Sequence, residues 1–146
     1  MGDTVIANKV SYHDVAEGVL TEYHPWMPDH YFHVDRRLLR LFESVIDKAK
    51  LPQAVYFGTL VTGEAIIEQE GRDIINERFQ PLCVDMEAAI AHVCYVGKIP
   101  FAAVRSISDT EENSGQESFA KYCGVASKNS FKVVELLLEH IIKKDC

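Results

Sequence analysis

Two short runs decide how this chain is interpreted: Val84-Asp85-Met86-Glu87-Ala88 and, about twenty residues later, Arg105-Ser106-Ile107-Ser108-Asp109. Each run is an apolar, strand-like stretch that ends in acidic residues, at a point where a helix or a loop must begin. In open α/β sheets, ligands bind just beyond the carboxyl ends of the strands. The acids at the ends of these runs are therefore candidates for binding or catalysis.

The composition indicates one globular domain, residues 1–146. Of the 146 residues, 47% are hydrophobic and 25% are charged, and the formal net charge is −7. This acidic balance disfavours nucleic acid and anionic membranes as partners. We expect neither a signal peptide at the start of the chain nor a membrane span. The cysteines have no CxxC spacing, which predicts reduced thiols in a cytoplasmic protein; they are Cys83, Cys94, Cys123 and Cys146.

Strand-like and helix-like periods alternate along the chain. Predicted strands cover residues 5–7, 54–61, 82–86 and 101–107, and predicted helices cover 34–50, 70–79, 87–96 and 116–143. Segments 11–32 and 109–115 are predicted loops. This alternation predicts an α/β sandwich of three layers, with a mostly parallel or mixed sheet covered on both faces. The last helix is predicted to bury one face, which carries Phe119, Val125, Phe131, Val134, Leu138 and Ile141.

Three loops are expected to share one crevice if their strands are neighbours: Thr62-Gly63-Glu64, Asp85-Met86-Glu87 and Ser108-Asp109. Carboxylates with few basic partners suit a ligand that is rich in hydroxyls or that can be protonated. A carboxylate accepts two hydrogen bonds from a vicinal diol such as that of ribose. A carboxylic acid shielded from water can also deliver a proton to a ring nitrogen. Apolar walls for a flat base would come from Ile66, Ile67, Met86 and Phe119.

The motifs around these acids resemble the nucleoside phosphorylase/hydrolase superfamily, and within it the 5′-methylthioadenosine/S-adenosylhomocysteine nucleosidases. The resemblance rests on both acidic runs and also on Gly2-Asp3-Thr4-Val5-Ile6-Ala7, Tyr12-His13-Asp14, Thr62-Gly63-Glu64-Ala65-Ile66-Ile67 and the closing helix through Phe119, Ala126 and Asn129. It covers essentially the whole chain. It implies hydrolysis of the N-glycosidic bond of adenine nucleosides in purine and methionine salvage, without a cofactor.

Carried over by position, the resemblance implies that Asp109 protonates N7 of the purine and that Ser108 orients its carboxyl group. Glu87 would accept hydrogen bonds from the ribose hydroxyls, and Met86 would pack against the sugar. Asp85 stands at the first acid of the family's Glu-Met-Glu pattern. It is expected to have a structural role beside the substrate, and Arg105 is expected to pair with a carboxylate.

Three apolar residues would surround the base by the same resemblance. Ile66 stands where the family stacks an aromatic ring, Ile67 would meet the adenine edge through its backbone, and Phe119 would close over the base from the loop before the last helix. The family also implies a homodimer, in which one subunit lines the alkylthio pocket of its neighbour. Here that pocket would be formed around Leu20, Tyr23 and Pro28.

The chain departs from the family in four respects. It opens without the family's N-terminal part, which carries the glutamate that activates water. Asp85 is one methylene shorter than the usual Glu, Ile66 is not aromatic, and the helix after Glu87 is one residue shorter. Two alternatives therefore stay open: a phosphorylase of the same superfamily, and a catalytically impaired relative that binds nucleosides or dimerises. His24, His30 and His33 have no further ligand cluster, so no metal site is predicted.

Overall fold

A computed structural model describes residues 1–67, 69–113 and 116–145. The strands are β1 (Thr4–Tyr12), β2 (Phe32–His33), β3 (Val55–Thr62), β4 (Cys83–Asp85) and β5 (Val104–Ser106). The helices are α1 (Val19–Tyr23), α2 (Arg36–Ile46), α3 (Gln69–Phe79), α4 (Ile90–Val96) and α5 (Gln116–Asp145). The end of the predicted loop 109–115 and Cys146 lie outside the described residues.

The sheet is mixed, and β1 lies at its centre. Its order is β2-β1-β3-β4, and β5 pairs with β1 on the same side as β2. The β1/β3 and β3/β4 pairs are parallel, whereas β2 and β5 run antiparallel to β1. The register of β1 against β3 shifts between Ala7 and Lys9, so Asn8 is the extra residue of a β-bulge. Such a bulge increases the local twist of the sheet.

Helices cover both faces of this sheet, which confirms the predicted three layers. On one face, α1 and α4 pack against the strands through a core that includes Leu20, Ala91, Val10 and Leu60. On the other face, α2 and α5 enclose Ile6 with Phe42, Val133 and Leu137, while α3 covers Val61 with Ile75 and Phe79. No helix among the described residues is long and apolar enough to cross a membrane.

The local predictions agree with the structure in most places. Helix α2 begins after Asp35, whose side chain accepts a hydrogen bond from the Arg37 backbone N–H at 2.8 Å and so caps the first turn. Strand β3, helix α3 and helix α5 lie within the predicted segments to within two residues at each end. Helix α4 begins at Ile90, three residues later than predicted. Helix α1 and strand β2 occur where a loop was predicted.

The predicted inner face of α5 is wrong. Phe119, Val125, Phe131 and Leu138 are all more than half exposed, whereas Ala126, Val133 and Leu137 are buried. Of the predicted set, Ile141 does pack against the core. The helix is apolar on more than one side, so periodicity alone selects the wrong stripe.

Candidate active site

A cleft of about 240 Å³ opens where β1, β3 and β4 end. Because these strands are parallel, their carboxyl ends meet at one edge of the sheet, and the Gly63 N–H donates to the Asp85 carbonyl oxygen at 3.2 Å. The cleft is lined by Tyr12, Asp14, Val15, Thr62, Gly63, Glu64, Met86 and Ala89. Two of the three loops predicted to share a crevice therefore do so, and the loop after β1 joins them.

Gly63 fits this edge because it has no side chain. A Cβ at this position would overlap the His13 imidazole and crowd the Asp14 carboxylate. Asp14 accepts a hydrogen bond from the Glu64 N–H at 2.8 Å, which fixes the turn after β3. Within the described part of the chain, the buried His13 Nε2 and Thr62 Oγ1 both lack a hydrogen-bond partner beside the cleft.

Arg105 joins the two acidic runs. Its Nε donates to Asp85 Oδ2 at 2.5 Å, and its Nη2 lies 3.7 Å from Glu87 Oε2. The Asp85 side chain is only 6% exposed and also accepts from the Ala88 N–H at 3.2 Å. The contact with Ala88 fixes the turn between β4 and α4. The contact with Arg105 confirms the prediction that this arginine pairs with a carboxylate. The oxygens of Asp85 are occupied by these contacts, so its charge is directed at Arg105 and away from the cleft.

Glu87 and Met86 point outward at the rim of this edge. The Glu87 side chain is 73% exposed, and at 3.7 Å its ion pair with Arg105 is loose. Met86 is 45% exposed and lines the cleft. A solvent-accessible carboxylate beside an exposed thioether offers both an acceptor for hydroxyl groups and an apolar surface.

The Ser108-Asp109 loop does not leave the same edge as the other loops, which corrects the prediction of a single crevice. Strand β5 is antiparallel to β1, with Arg105 opposite Val5 and Ser106 opposite Thr4, so its carboxyl end lies beside the start of β1. The Ile107 N–H donates to the Asp3 carbonyl oxygen at 2.9 Å. Ser108 and Asp109 are only partly exposed, and Ser108 Oγ donates to Asp109 Oδ1 at 3.0 Å.

The three residues predicted to surround a base lie in different environments. Ile66 is 80% exposed on the loop after β3. The Ile67 side chain packs against the core beneath α3, and a contact between its backbone and a base stays a prediction. Phe119 lies in the first turn of α5 and not in the loop before it, and it is 54% exposed. Ile66 and Phe119 are thus free to contact a ligand, although neither contributes to the core.

The segment predicted to reach a neighbouring subunit is only partly available for that role. Leu20 is 8% exposed and packs in the core of its own chain, so the structure is at odds with the prediction for this residue. Tyr23, which is 75% exposed, and Pro28 both face solvent. Trp26, two residues before Pro28, is 53% exposed.

Tyr12 belongs to a motif that carries the resemblance, but no role was predicted for it or for His92. Tyr12 lines the cleft, and its hydroxyl lies 3.4 Å from both the Ala89 carbonyl oxygen and His92 Nδ1. Burial, followed by the nearby charges of Asp14 and Glu64, raises the pKa of Tyr12. The signal that would have found His92 is its spacing of four residues from Ala88, which is buried in the turn just before α4.

The described residues contain no group of three or more His, Cys, Asp or Glu side chains that could hold a metal ion. His24 lies against His92, and His33 contacts Asp29. His30 packs against the Tyr31 ring. His33 also contacts the Tyr31 ring, so His30 and His33 share an aromatic partner, whereas His24 packs against His92 and Trp26.

Comparisons with known proteins agree on one family. Residues 1–139 match the family model described as the phosphorylase superfamily. The chain is 34% identical over 145 residues to the 5′-methylthioadenosine/S-adenosylhomocysteine nucleosidase of Staphylococcus haemolyticus, covering 95% of this chain and 62% of the relative. It is 37% identical over 141 residues to the enzyme of the same name from Exiguobacterium sp., covering 92% and 59%. The chain thus spans about 60% of the length of these relatives.

Solved structures give the same result. A 5′-methylthioadenosine/S-adenosylhomocysteine nucleosidase from Colwellia psychrerythraea, in complex with adenine, superposes with a TM-score of 0.79 at 28% identity and covers 95% of this chain and 60% of that one. The Neisseria meningitidis nucleosidase, in complex with methylthio-immucillin-A, gives 0.79 at 27% identity and covers 95% and 62%. The predicted resemblance and the α/β fold with a mixed sheet are both confirmed.

Proposed function

Because this chain belongs to the phosphorylase superfamily, we propose that it binds an adenine nucleoside and takes part in hydrolysis of the N-glycosidic bond of 5′-methylthioadenosine or S-adenosylhomocysteine. The observation that carries the proposal is the similarity to nucleosidases over almost the whole chain, which includes both acidic runs.

The proposed reaction belongs in the cytoplasm. This assignment is supported by three free cysteines among the described residues.

The proposed reaction breaks one bond and consumes one water molecule. The C1′–N9 bond breaks, its electron pair goes to the purine, and the oxygen of water bonds to C1′. Protonation of N7 makes the purine a better leaving group, and Asp109 would donate this proton. The products are adenine and the 5-thio-substituted ribose. The proton that water loses passes to solvent, and solvent returns a proton to Asp109, so no net proton is consumed.

Two contacts support the roles of the acids. Ser108 Oγ donates to Asp109 Oδ1 at 3.0 Å, which leaves the second carboxyl oxygen of Asp109 to carry the proton. Glu87 is exposed but lies within 3.7 Å of Arg105, which is four residues before Asp109 in the chain. Arg105 on β5 therefore links Glu87, the proposed acceptor for the ribose hydroxyls, to the strand that precedes Asp109, the proposed acid. Met86 and Phe119 would provide apolar contacts to the sugar and the base.

A homodimer is also part of the proposal, and the exposed surface of the chain is large enough for one. The 16.5 kDa chain exposes 9278 Å² of surface. A compact monomer of this mass is expected to expose about 7,600 Å². The excess of roughly 1,700 Å² exceeds the roughly 800 Å² that each partner contributes to a typical stable interface. The exposed Tyr23 and Pro28 would line the pocket of the neighbouring subunit.

The test is adenine release from 5′-methylthioadenosine by the purified chain, with and without phosphate, beside Asp109→Asn. Glu112→Gln is the matched control because it removes an exposed acid from the same loop. The proposal predicts release that does not need phosphate, is lost in Asp109→Asn and is retained in Glu112→Gln.

Other outcomes select the alternatives. Release that requires phosphate would assign the chain to the phosphorylases of the superfamily. Absence of release, combined with calorimetric binding of 5′-methylthioadenosine, would leave a nucleoside-binding relative. Absence of both release and binding would refute the proposal.

A further inference from the structure

Two histidines from different elements meet behind the cleft. His24 follows α1, His92 lies on α4, and their Nε2 atoms are 3.1 Å apart. The His92 ring stacks on the buried Phe32 ring, with centroids 4.8 Å apart and planes 11° apart. Trp26 stacks on Tyr95 of the same helix at 5.6 Å. The turn His24–Trp26 is thus held on α4 by one hydrogen bond and one aromatic stack.

One arrangement of protons is consistent with all three of the hydrogen bonds that link His24, His92, Tyr12 and Ala89. His24 Nε2–H donates to His92 Nε2, His92 Nδ1–H donates to the Tyr12 hydroxyl oxygen, and the Tyr12 hydroxyl donates to the Ala89 carbonyl oxygen. This chain of hydrogen bonds runs from the surface turn to Tyr12 and Ala89, which both line the cleft. Each imidazole carries one proton in this arrangement, so the pair needs at least one neutral ring.

We propose that the His24–His92 pair is a pH-sensitive latch, which holds the His24–Trp26 turn against α4 at neutral pH and loosens it in mild acid. The pair tolerates one added proton, because an imidazolium can still donate to a neutral ring. A second proton leaves two N–H groups facing each other at 3.1 Å, and the hydrogen bond is replaced by repulsion between like charges.

Within the part of the chain that the structure describes, the groups in contact with His92 include no carboxylate that would stabilise the doubly protonated pair. The groups that face His92 are the Tyr12 hydroxyl from β1, the Phe32 ring from β2 and His24. Asp14 and Glu64 act on Tyr12, and Asp29 acts on Tyr95, one layer further out. Burial and the proximity of His24 lower the pKa of His92. The second proton therefore binds below the ordinary histidine value of 6.5.

Trp26 is the only tryptophan of the chain and reports directly on this turn. The experiment measures acrylamide quenching of its fluorescence between pH 8 and pH 5, with far-UV circular dichroism as a control for the whole fold. Trp26 is 53% exposed, so full release can raise the quenching constant by about twofold. We expect this rise, with a midpoint below pH 6.5, while the circular dichroism signal stays constant.

Two variants separate the latch from other sources of the signal. His24→Gln should abolish the transition, because a neutral amide can accept from protonated His92 as well as donate to neutral His92. His33→Gln removes a neighbouring exposed histidine that pairs with Asp29, and the transition should persist. A rise that survives in His24→Gln, no rise at all, or a rise that coincides with loss of the circular dichroism signal would each overturn the proposal. None of these readouts depends on nucleoside hydrolysis.

Discussion

Asp85 and Glu87 pair with the same arginine, yet we predict that only Asp85 matters for stability. Asp85 is 6% exposed and accepts from Arg105 at 2.5 Å and from the Ala88 N–H at 3.2 Å. Hydrogen bonds to a charged group contribute about 1.5–3 kcal/mol each, against about 1 kcal/mol for neutral pairs. The two bonds use different oxygens, Oδ2 for Arg105 and Oδ1 for Ala88. Asp85→Asn has one acceptor oxygen, so it can keep only one of these bonds and also removes the charge, and it should lower the free energy of unfolding by about 2 kcal/mol.

Glu87→Gln should cost less than about 0.5 kcal/mol, because Glu87 is 73% exposed and lies 3.7 Å from Arg105. Urea unfolding followed by circular dichroism measures both changes. With a slope of about 2 kcal/mol per molar urea, Asp85→Asn should shift the midpoint by about 1 M and Glu87→Gln by less than about 0.3 M. Equal shifts would refute the reasoning. So would a coupling energy between Asp85→Asn and Arg105→Met of less than about 0.5 kcal/mol in a double-mutant cycle.

Four further measurements test other parts of the structure. Gly63→Ala should destabilise the fold by about 1–3 kcal/mol, because the added methyl group overlaps the neighbouring imidazole. Gly124→Ala, in open space on α5, should stabilise it slightly in the same thermal melt. Phe42→Ala, at a side chain that is 1% exposed, should cost about 3–5 kcal/mol in urea unfolding. Burial raises the pKa of the Cys83 thiol to about 12, so peptide mapping after iodoacetamide treatment at pH 8 should find Cys83 unmodified in the folded chain. The pKa of His92 is lowered in the folded state, so protonation of His92 favours the unfolded chain. The free energy of unfolding should therefore fall as the pH drops below 6.5, and a series of urea midpoints measures this fall. His92→Phe should reduce it.

Local signals in the sequence were sufficient to position most elements. The periodicity of α2 and the cap at Asp35 depend on residues within a few positions of each other, and the hydrogen bond to Arg37 lowers the pKa of Asp35. Strand β3 is bounded by Pro52 and Gly63, which also act locally. Helix α1 has five residues and strand β2 has two, so neither is long enough to show a period.

The buried face of α5 needed information that the sequence does not hold locally. Phe131, Leu138 and Ile142 form one apolar stripe, and Val133 and Leu137 form another. Hydrophobicity favours the first stripe, because its side chains are larger. The structure buries the second stripe against Ile6 and Phe42. Which stripe faces inward depends on how the helix meets β5 and α2, and these contacts are long-range.

The direction of β5 explains why the Ser108-Asp109 loop does not share the predicted crevice. It also bears on the contact between Arg105 and a carboxylate, which was predicted correctly. Its antiparallel pairing with β1 places Arg105 opposite Val5, whereas Asp85 lies beside Thr62, which pairs with Tyr12 at the other end of β1. Seven residues of strand separate these levels by about 23 Å, which no arginine side chain can span. The Arg105–Asp85 contact therefore requires a strongly twisted sheet whose diagonal corners curl toward each other, and the β-bulge at Asn8 in the middle strand increases that twist. A basic side chain on β5 thus reaches the acids that follow β4, although β5 runs antiparallel to β1 and β4 belongs to the parallel part of the sheet. A sequence pattern records which residues end each strand, but the twist determines which of those ends meet.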